Sequence, residues 1–145
     1  MNLESRFDCE ARMDCLVQAG AFIEAFCARH GVDRRDALRL TLLTEELFTN
    51  TVEHGPGGER PASVRLSLRA GPARLTLLYA DTAPPFDPLA WLAQGVATRA
   101  VDDDDLADRP VGQLGLLLVA QLAARAHYER RDGWNRLQLD LERHA

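Results

Sequence analysis

Residues 38–55 read LRLTLLTEELFTNTVEHG, and the periodicity of this stretch constrains the fold more than anything else in the chain. Leu40, Leu43, Leu47 and Val52 recur at helical intervals, the pattern of a helix that packs against a core. Glu46, Asn50 and His54 recur at steps of four. Four residues of α-helix rise about 6 Å and overshoot one turn by about 40°, so the three polar groups form a slowly drifting row on one side. A carboxylate beside a carboxamide on one face is a chemically useful pair. The Asn oxygen suits a hard cation such as Mg²⁺, and a Glu can take a proton from a hydroxyl or a water. The same pair also reads as ordinary solvated side chains on an exposed helix face.

The other elements can be laid out around this helix. Residues 3–11 alternate loosely through Leu3, Phe7 and Cys9, as an edge strand would. Over residues 13–30, Leu16, Val17, Phe22, Ile23, Phe26 and Cys27 recur at helical intervals, and Gly31 ends the run. Asp33 is placed to cap the second helix, which runs to about His54 before Gly55-Pro56-Gly57-Gly58 breaks it. Residues 63–70 alternate Val64, Leu66 and Leu68 against Arg65, Ser67 and Arg69. Gly71-Pro72 then marks a turn, and residues 74–80 return as an antiparallel partner.

From about 89 to 111 the periodicity dissolves into a segment holding Trp91, Gly95, the acidic run 102–105 and Pro110. A loop of that length in a compact domain reads as a lid or a binding loop. Residues 111–126 then read as a glycine-containing turn that opens an apolar helix, with Leu114, Leu117, Leu118 and Leu122 inward. Residues 127–131 and 134–141 form a last hairpin around Asp132-Gly133. This order predicts one α+β domain over residues 1–145, a sheet of hairpins covered on one face by helices.

Composition narrows the partners. A net charge of −5 and a pI near 5.3 disfavour direct binding of nucleic acid, which wants a basic surface. All 17 basic residues are Arg. The three cysteines lack metal-ligand spacing and fit buried thiols in a reducing compartment. Neither a leader nor an apolar run long enough to cross a bilayer is expected, which predicts a cytoplasmic protein without a membrane partner.

Two further polar features stand out. Asp81 ends the second strand of the first hairpin. An acid there can accept a hydrogen bond from an exocyclic amine such as that of adenine, and it would reject an oxo group; it also reads as a turn-initiating Asp. Gly112-Gln113-Leu114-Gly115 lies at a helix start, where free N–H groups favour anions and glycine admits a phosphate close to the backbone. Such glycines also serve plain close packing.

Taken in order, EELFTNTVEHG, DTAPPFDPL, a long loop, RPVGQLGLLLV and YERRDGWNRLQL resemble the Bergerat-fold ATPases of the GHKL superfamily. The resemblance is strongest to the bacterial anti-sigma factor serine kinases and their stand-alone ATP-binding relatives, and it runs from about Phe7 to Leu141. It implies a two-layer α/β sandwich with a mixed, mostly antiparallel sheet and an ATP lid over about 89–111. Asn50 would then hold Mg²⁺, Glu46 would be the general base, and Asp81 would bind the adenine amine, with Ala83 and Phe86 on the same loop. Gly112, Gln113, Leu114 and Gly115 would line the phosphates. Arg109 is either a lid residue reaching the γ-phosphate or a solvated arginine, and His54 closes the first motif as a packing or phosphate-side residue.

Two positions depart from the family pattern. Ala83 replaces the glycine of the adenine loop, which costs of order 1 kcal/mol if that position needs positive φ, or nothing if Pro84 and Pro85 set a turn that alanine tolerates. Gln113 replaces a glycine of the phosphate loop. The partners implied are a sigma factor and a STAS-type anti-sigma-factor antagonist, with a homodimer possible. The resemblance leaves open a catalytically weak or inactive nucleotide- or partner-binding module of the same fold. A histidine-kinase phosphotransfer domain is disfavoured, because no helix bearing a phosphoacceptor His is seen before the domain.

Overall fold

The computed structural model describes residues 4–54, 61–87 and 123–144. The expected lid, with Arg109 and the acidic run, lies outside these residues. So do the Gly55–Gly58 break, Gly112, Gln113, Leu114, Gly115 and residues 116–122 of the expected apolar helix, whose expected last two residues, Arg125 and Ala126, open a strand instead. The described elements are β1 (Glu4–Glu10), α1 (Met13–Arg29), α2 (Arg34–His54), β2 (Ser63–Ala70), β3 (Arg74–Asp81), β4 (Arg125–Arg131) and β5 (Trp134–Glu142). They match the sequence reading to within a residue or two at each end.

Local signals account for the boundaries. At the end of α1 the chain turns through His30 into Gly31, whose φ of 61° needs no Cβ relief in glycine. The Val32 N–H then bonds back to the Cys27 carbonyl at 2.9 Å, the 6→1 closure of a Schellman cap. Asp33 caps α2 by accepting the Arg35 N–H at 2.8 Å. Asp132 and Gly133 have φ of 53° and 84°, both positive, as a two-residue type I′ hairpin demands.

The five strands form one sheet in the order β1-β2-β3-β5-β4, and all four pairings are antiparallel. Alternation sets its two faces. Val64, Leu66, Leu68 and Ala70 on β2, Leu75, Leu77 and Tyr79 on β3, and Leu137, Leu139 and Leu141 on β5 are buried. Against them pack Ala19, Ile23, Phe26 and Cys27 of α1 and Leu40, Leu43, Leu47 and Phe48 of α2. Each fully buried Leu or Phe stabilises the fold by about 1.5–3 kcal/mol relative to exposure. Phe7 stacks on Phe22 with ring centroids 5.5 Å apart, which seats β1 under α1.

Two expectations about burial are corrected. Val17 is 78% exposed, since it falls off the buried arc of Ala19, Ile23 and Phe26. Val52, as expected, packs against the core, half-buried beside the fully inward Thr51. Of the cysteines, Cys27 alone is buried; Cys9 and Cys15 are half-buried, and all three are free thiols.

Candidate functional site

The site is built where α2 crosses the end of β3. Along β3 the inward phase runs Leu75, Leu77, Tyr79 and then Asp81, so the alternation that buries two leucines also carries a carboxylate into the interior. A buried carboxylate needs donors. Asp81 has three. Thr51 Oγ1 of α2 lies 2.8 Å from Oδ2, Asn135 Nδ2 of β5 lies 2.8 Å from Oδ1, and the Ala83 N–H reaches Oδ1 at 3.2 Å.

The direction of the hydrogen-bond chain follows from proton counting. Thr51 Oγ1 is also 2.6 Å from the Tyr79 hydroxyl and 3.0 Å from the Leu47 carbonyl. A carboxylate can only accept, so the single Thr51 proton points at Asp81, where the bond is charge-assisted and shorter than the one to the Leu47 carbonyl. Tyr79 must then donate to Thr51. Burial raises the Tyr79 phenol well above its ordinary range, against the lowering effect of its bond to Thr51, and keeps that proton in place.

On the other side of Asp81, Asn135 ties down the loop of residues 82–87. Its Nδ2 also approaches the carbonyls of Ala83 at 3.2 Å and Pro84 at 3.0 Å. Its Oδ1 accepts from the Tyr128 hydroxyl at 2.6 Å and from the Phe86 N–H at 3.3 Å. Arg130 Nη1 adds a bond of 2.7 Å to the Ala83 carbonyl. Ala83 itself is buried, and Asp132 is the one non-glycine residue with positive φ among those described. Ala83 therefore carries none of the left-handed strain that replacing a glycine suggested. Phe86 is exposed at the loop's outer end.

Along α2, Asn50 immediately precedes Thr51. Its Nδ2 is buried, with no hydrogen-bond partner among the described residues. A 180° turn of the amide exchanges its nitrogen and oxygen, so this position offers a ligand either a donor or an acceptor. One turn earlier, Glu46 is half-buried. Burial pushes its carboxyl above the usual glutamate range, with Glu45 and Glu53 adding like-charge repulsion. That shift suits a group that exchanges protons. Among the described residues no group of three or more His, Cys, Asp and Glu side chains could hold a metal ion by itself. Asn50 would offer such an ion a single protein oxygen, so the remaining oxygens would have to come from a ligand and water.

Glu46, Asn50, Asp81, Ala83 and Phe86 all lie among the described residues, and the Thr51–Asp81 bond joins the buried side of α2, at the residue next to Asn50, to the end of β3. Two members of the cluster, Thr51 and Asn135, are not among the residues that the motifs single out. The signal was available: each is a polar residue on an inward phase. Thr51 follows Leu40, Leu43 and Leu47 on the buried side of α2, and Asn135 leads Leu137, Leu139 and Leu141 on β5.

Comparison with known proteins adds independent findings. The sequence profile of the histidine kinase-like ATPase domain matches residues 9–141. The serine/threonine-protein kinase BtrW of Bordetella bronchiseptica is 33% identical over 118 residues, covering 81% of this chain and 79% of that protein. The crystal structure of the RsbU and RsbW domains of Rv1364c from Mycobacterium tuberculosis superposes with a TM-score of 0.62 at 17% identity. That match covers 98% of this chain, which spans only 33% of the longer one. The SiaB–SiaC complex from Pseudomonas aeruginosa matches with a TM-score of 0.59 at 15% identity, over 95% of this chain and 89% of that one. At such identities the structural likeness speaks for the fold alone. Among the described residues, no helix is long and apolar enough to cross a membrane.

Proposed function

The chain belongs to the histidine kinase-like ATPase domain family, and from that premise we propose that it is an ATP-binding partner-switch protein, an anti-sigma factor that phosphorylates a serine of its antagonist. The observation that carries the nucleotide half is Asp81, a buried carboxylate with acceptor capacity at the end of the central strand and bonded to the helix that carries Glu46 and Asn50. In this reading Asp81 accepts one N–H of the adenine 6-amino group. Ala83 and Phe86 belong to the same adenine loop, and the Asn50 side-chain oxygen would hold the Mg²⁺ of Mg·ATP. Bound Mg²⁺ supplies charge neutralisation at the phosphates.

The chemistry asked of the protein's own residues is modest. The Glu46 carboxylate takes the proton of a partner serine hydroxyl. The serine oxygen forms a bond to the γ-phosphorus as the bond to the β,γ-bridging oxygen breaks, and ADP leaves. The raised Glu46 carboxyl supports this role, because a base matched to the working pH transfers protons most effectively. On the phosphate side, the Gly112–Gly115 segment would line the phosphates beneath a lid over about 89–111, and Arg109 would reach the γ-phosphate from that lid.

The partner half leans on relatives. BtrW is named a serine/threonine-protein kinase, and SiaB was solved in complex with SiaC. A STAS-type antagonist and a sigma factor are the partners proposed, in the cytoplasm, with a homodimer as the working assembly. The direct test is to incubate the chain with Mg·ATP and the candidate antagonist and to look for phosphoserine by mass spectrometry. Phosphoserine on the antagonist is expected. ATP bound without transfer would leave a binding module of the same fold instead.

A further inference from the structure

Asp81 has two oxygens and four lone-pair positions, and the fold fills three of them. Oδ1 takes two donors, Asn135 Nδ2 and the Ala83 N–H. Oδ2 takes one, the Thr51 hydroxyl, itself held by the proton of Tyr79. Thr51 and Asn135 approach from different elements, α2 and β5, so the carboxylate is gripped from both sides and cannot turn about its terminal bond without breaking a buried hydrogen bond. One acceptor position remains, on Oδ2. Asp81 as a whole keeps 8% of its surface exposed.

We propose that Thr51 is a specificity-determining residue of this site: with Asn135 it holds the Asp81 carboxylate so that a single, fixed acceptor meets the 6-position of a bound purine. The inference rests on the nucleotide reading given above. A 6-amino purine presents an N–H to that acceptor, whereas a 6-oxo purine presents a lone pair to it and is repelled. Without the Thr51 hydroxyl, Oδ2 has two unfilled positions and loses the bond that aims it. Tyr79 then holds a buried proton with no acceptor on Thr51. Selection should weaken because the acceptor is no longer pre-aimed, even though the carboxylate is still present. The hydroxyl is what matters, so serine at this position should serve as well as threonine.

The test compares three Mg²⁺-bound triphosphates that differ only at or beside the purine 6-position: ATP, ITP and purine riboside triphosphate, which has hydrogen there. Dissociation constants are measured by calorimetry for the wild-type chain, Thr51→Val and Thr51→Ser. Wild type is expected to bind ATP tightest. Thr51→Val should lose about tenfold to a hundredfold for ATP, the usual effect of removing one hydrogen bond to a charged group. It should bind purine riboside triphosphate at near wild-type strength, which also reports that the variant is folded. Thr51→Ser should retain the wild-type order. An equal loss for all three nucleotides in Thr51→Val makes Thr51 merely structural and overturns the proposal, as does an unchanged ratio of ATP to ITP. A wild-type chain that binds ATP but fails to prefer it over ITP removes the base-recognition role of Asp81. One that binds no triphosphate removes the nucleotide reading itself.

Discussion

Asp36 in the first turn of α2 and His144 beyond the last strand are bonded to each other twice, although 108 residues separate them in sequence. The Asp36 carboxylate is fully buried and takes the His144 N–H at 2.7 Å, the His144 ring and Arg39. Beside it, Arg143 reaches the carbonyls of Gly71, His30 and Gly31 and so satisfies the end of α1. This clasp holds residues 143 and 144 against the start of α2, far along the helix from Glu46 and Asn50.

The clasp sets a pH dependence of stability. Burial alone would raise the Asp36 carboxyl, but its bonds to His144 and Arg39 outweigh that and hold it below the ordinary aspartate range. A carboxyl lowered in the folded state contributes stability that is present above its unfolded value, about 3.9, and is lost as pH falls through the folded value. The melting temperature should therefore fall on acidification below about pH 4, and less steeply in Asp36→Asn. At neutral pH that variant should be less stable by about 1–3 kcal/mol, measurable by urea unfolding.

Ala83 illustrates a different relation between residue and backbone. The loop after Asp81 keeps its shape without a left-handed residue, because Asn135 and Arg130 hold its carbonyls from β5 and β4. Glycine is therefore not needed at position 83. Ala83→Gly should lower stability by about 0.4–1 kcal/mol by loosening the unfolded chain, and it should leave ATP affinity unimproved. A marked gain in affinity would mean that the alanine does distort the loop.

Glu46 should separate binding from transfer. Glu46→Gln is expected to retain Mg·ATP while phosphotransfer falls by about 10²–10⁴-fold. The acid limb of the rate profile should lie above the ordinary glutamate range, because burial first, and then Glu45 and Glu53, disfavour the charged form. Glu45→Gln and Glu53→Gln should each move that limb to lower pH. Rates insensitive to all three changes would assign the proton to another group.

Much of this fold was legible in the sequence, for reasons that can be traced to individual residues. Gly31 and Asp33 punctuate the two helices, and the alternation of Val64, Leu66 and Leu68 and of Leu137, Leu139 and Leu141 orients the sheet. Asp81 stood out because a carboxylate closing a strand is chemically conspicuous. Thr51 and Asn135 did not, because a lone Thr in a helix and a lone Asn in a strand usually serve local needs. Their partners are 30 and 54 residues away, and only the packing of α2 and β5 around β3 brings them to one carboxylate. Val17 misled for the converse reason: periodicity reports an apolar residue's phase only to within the width of the buried arc.

The central claim is that this chain binds Mg·ATP through Asp81. The most direct measurement is a thermal melt of the full chain with and without Mg·ATP, run in parallel on Asp81→Asn. The account predicts stabilisation of about 2.7 kcal/mol for the wild type at a hundredfold excess over Kd, and a much smaller shift for the variant. An unchanged melting temperature for the wild type at millimolar Mg·ATP would contradict it.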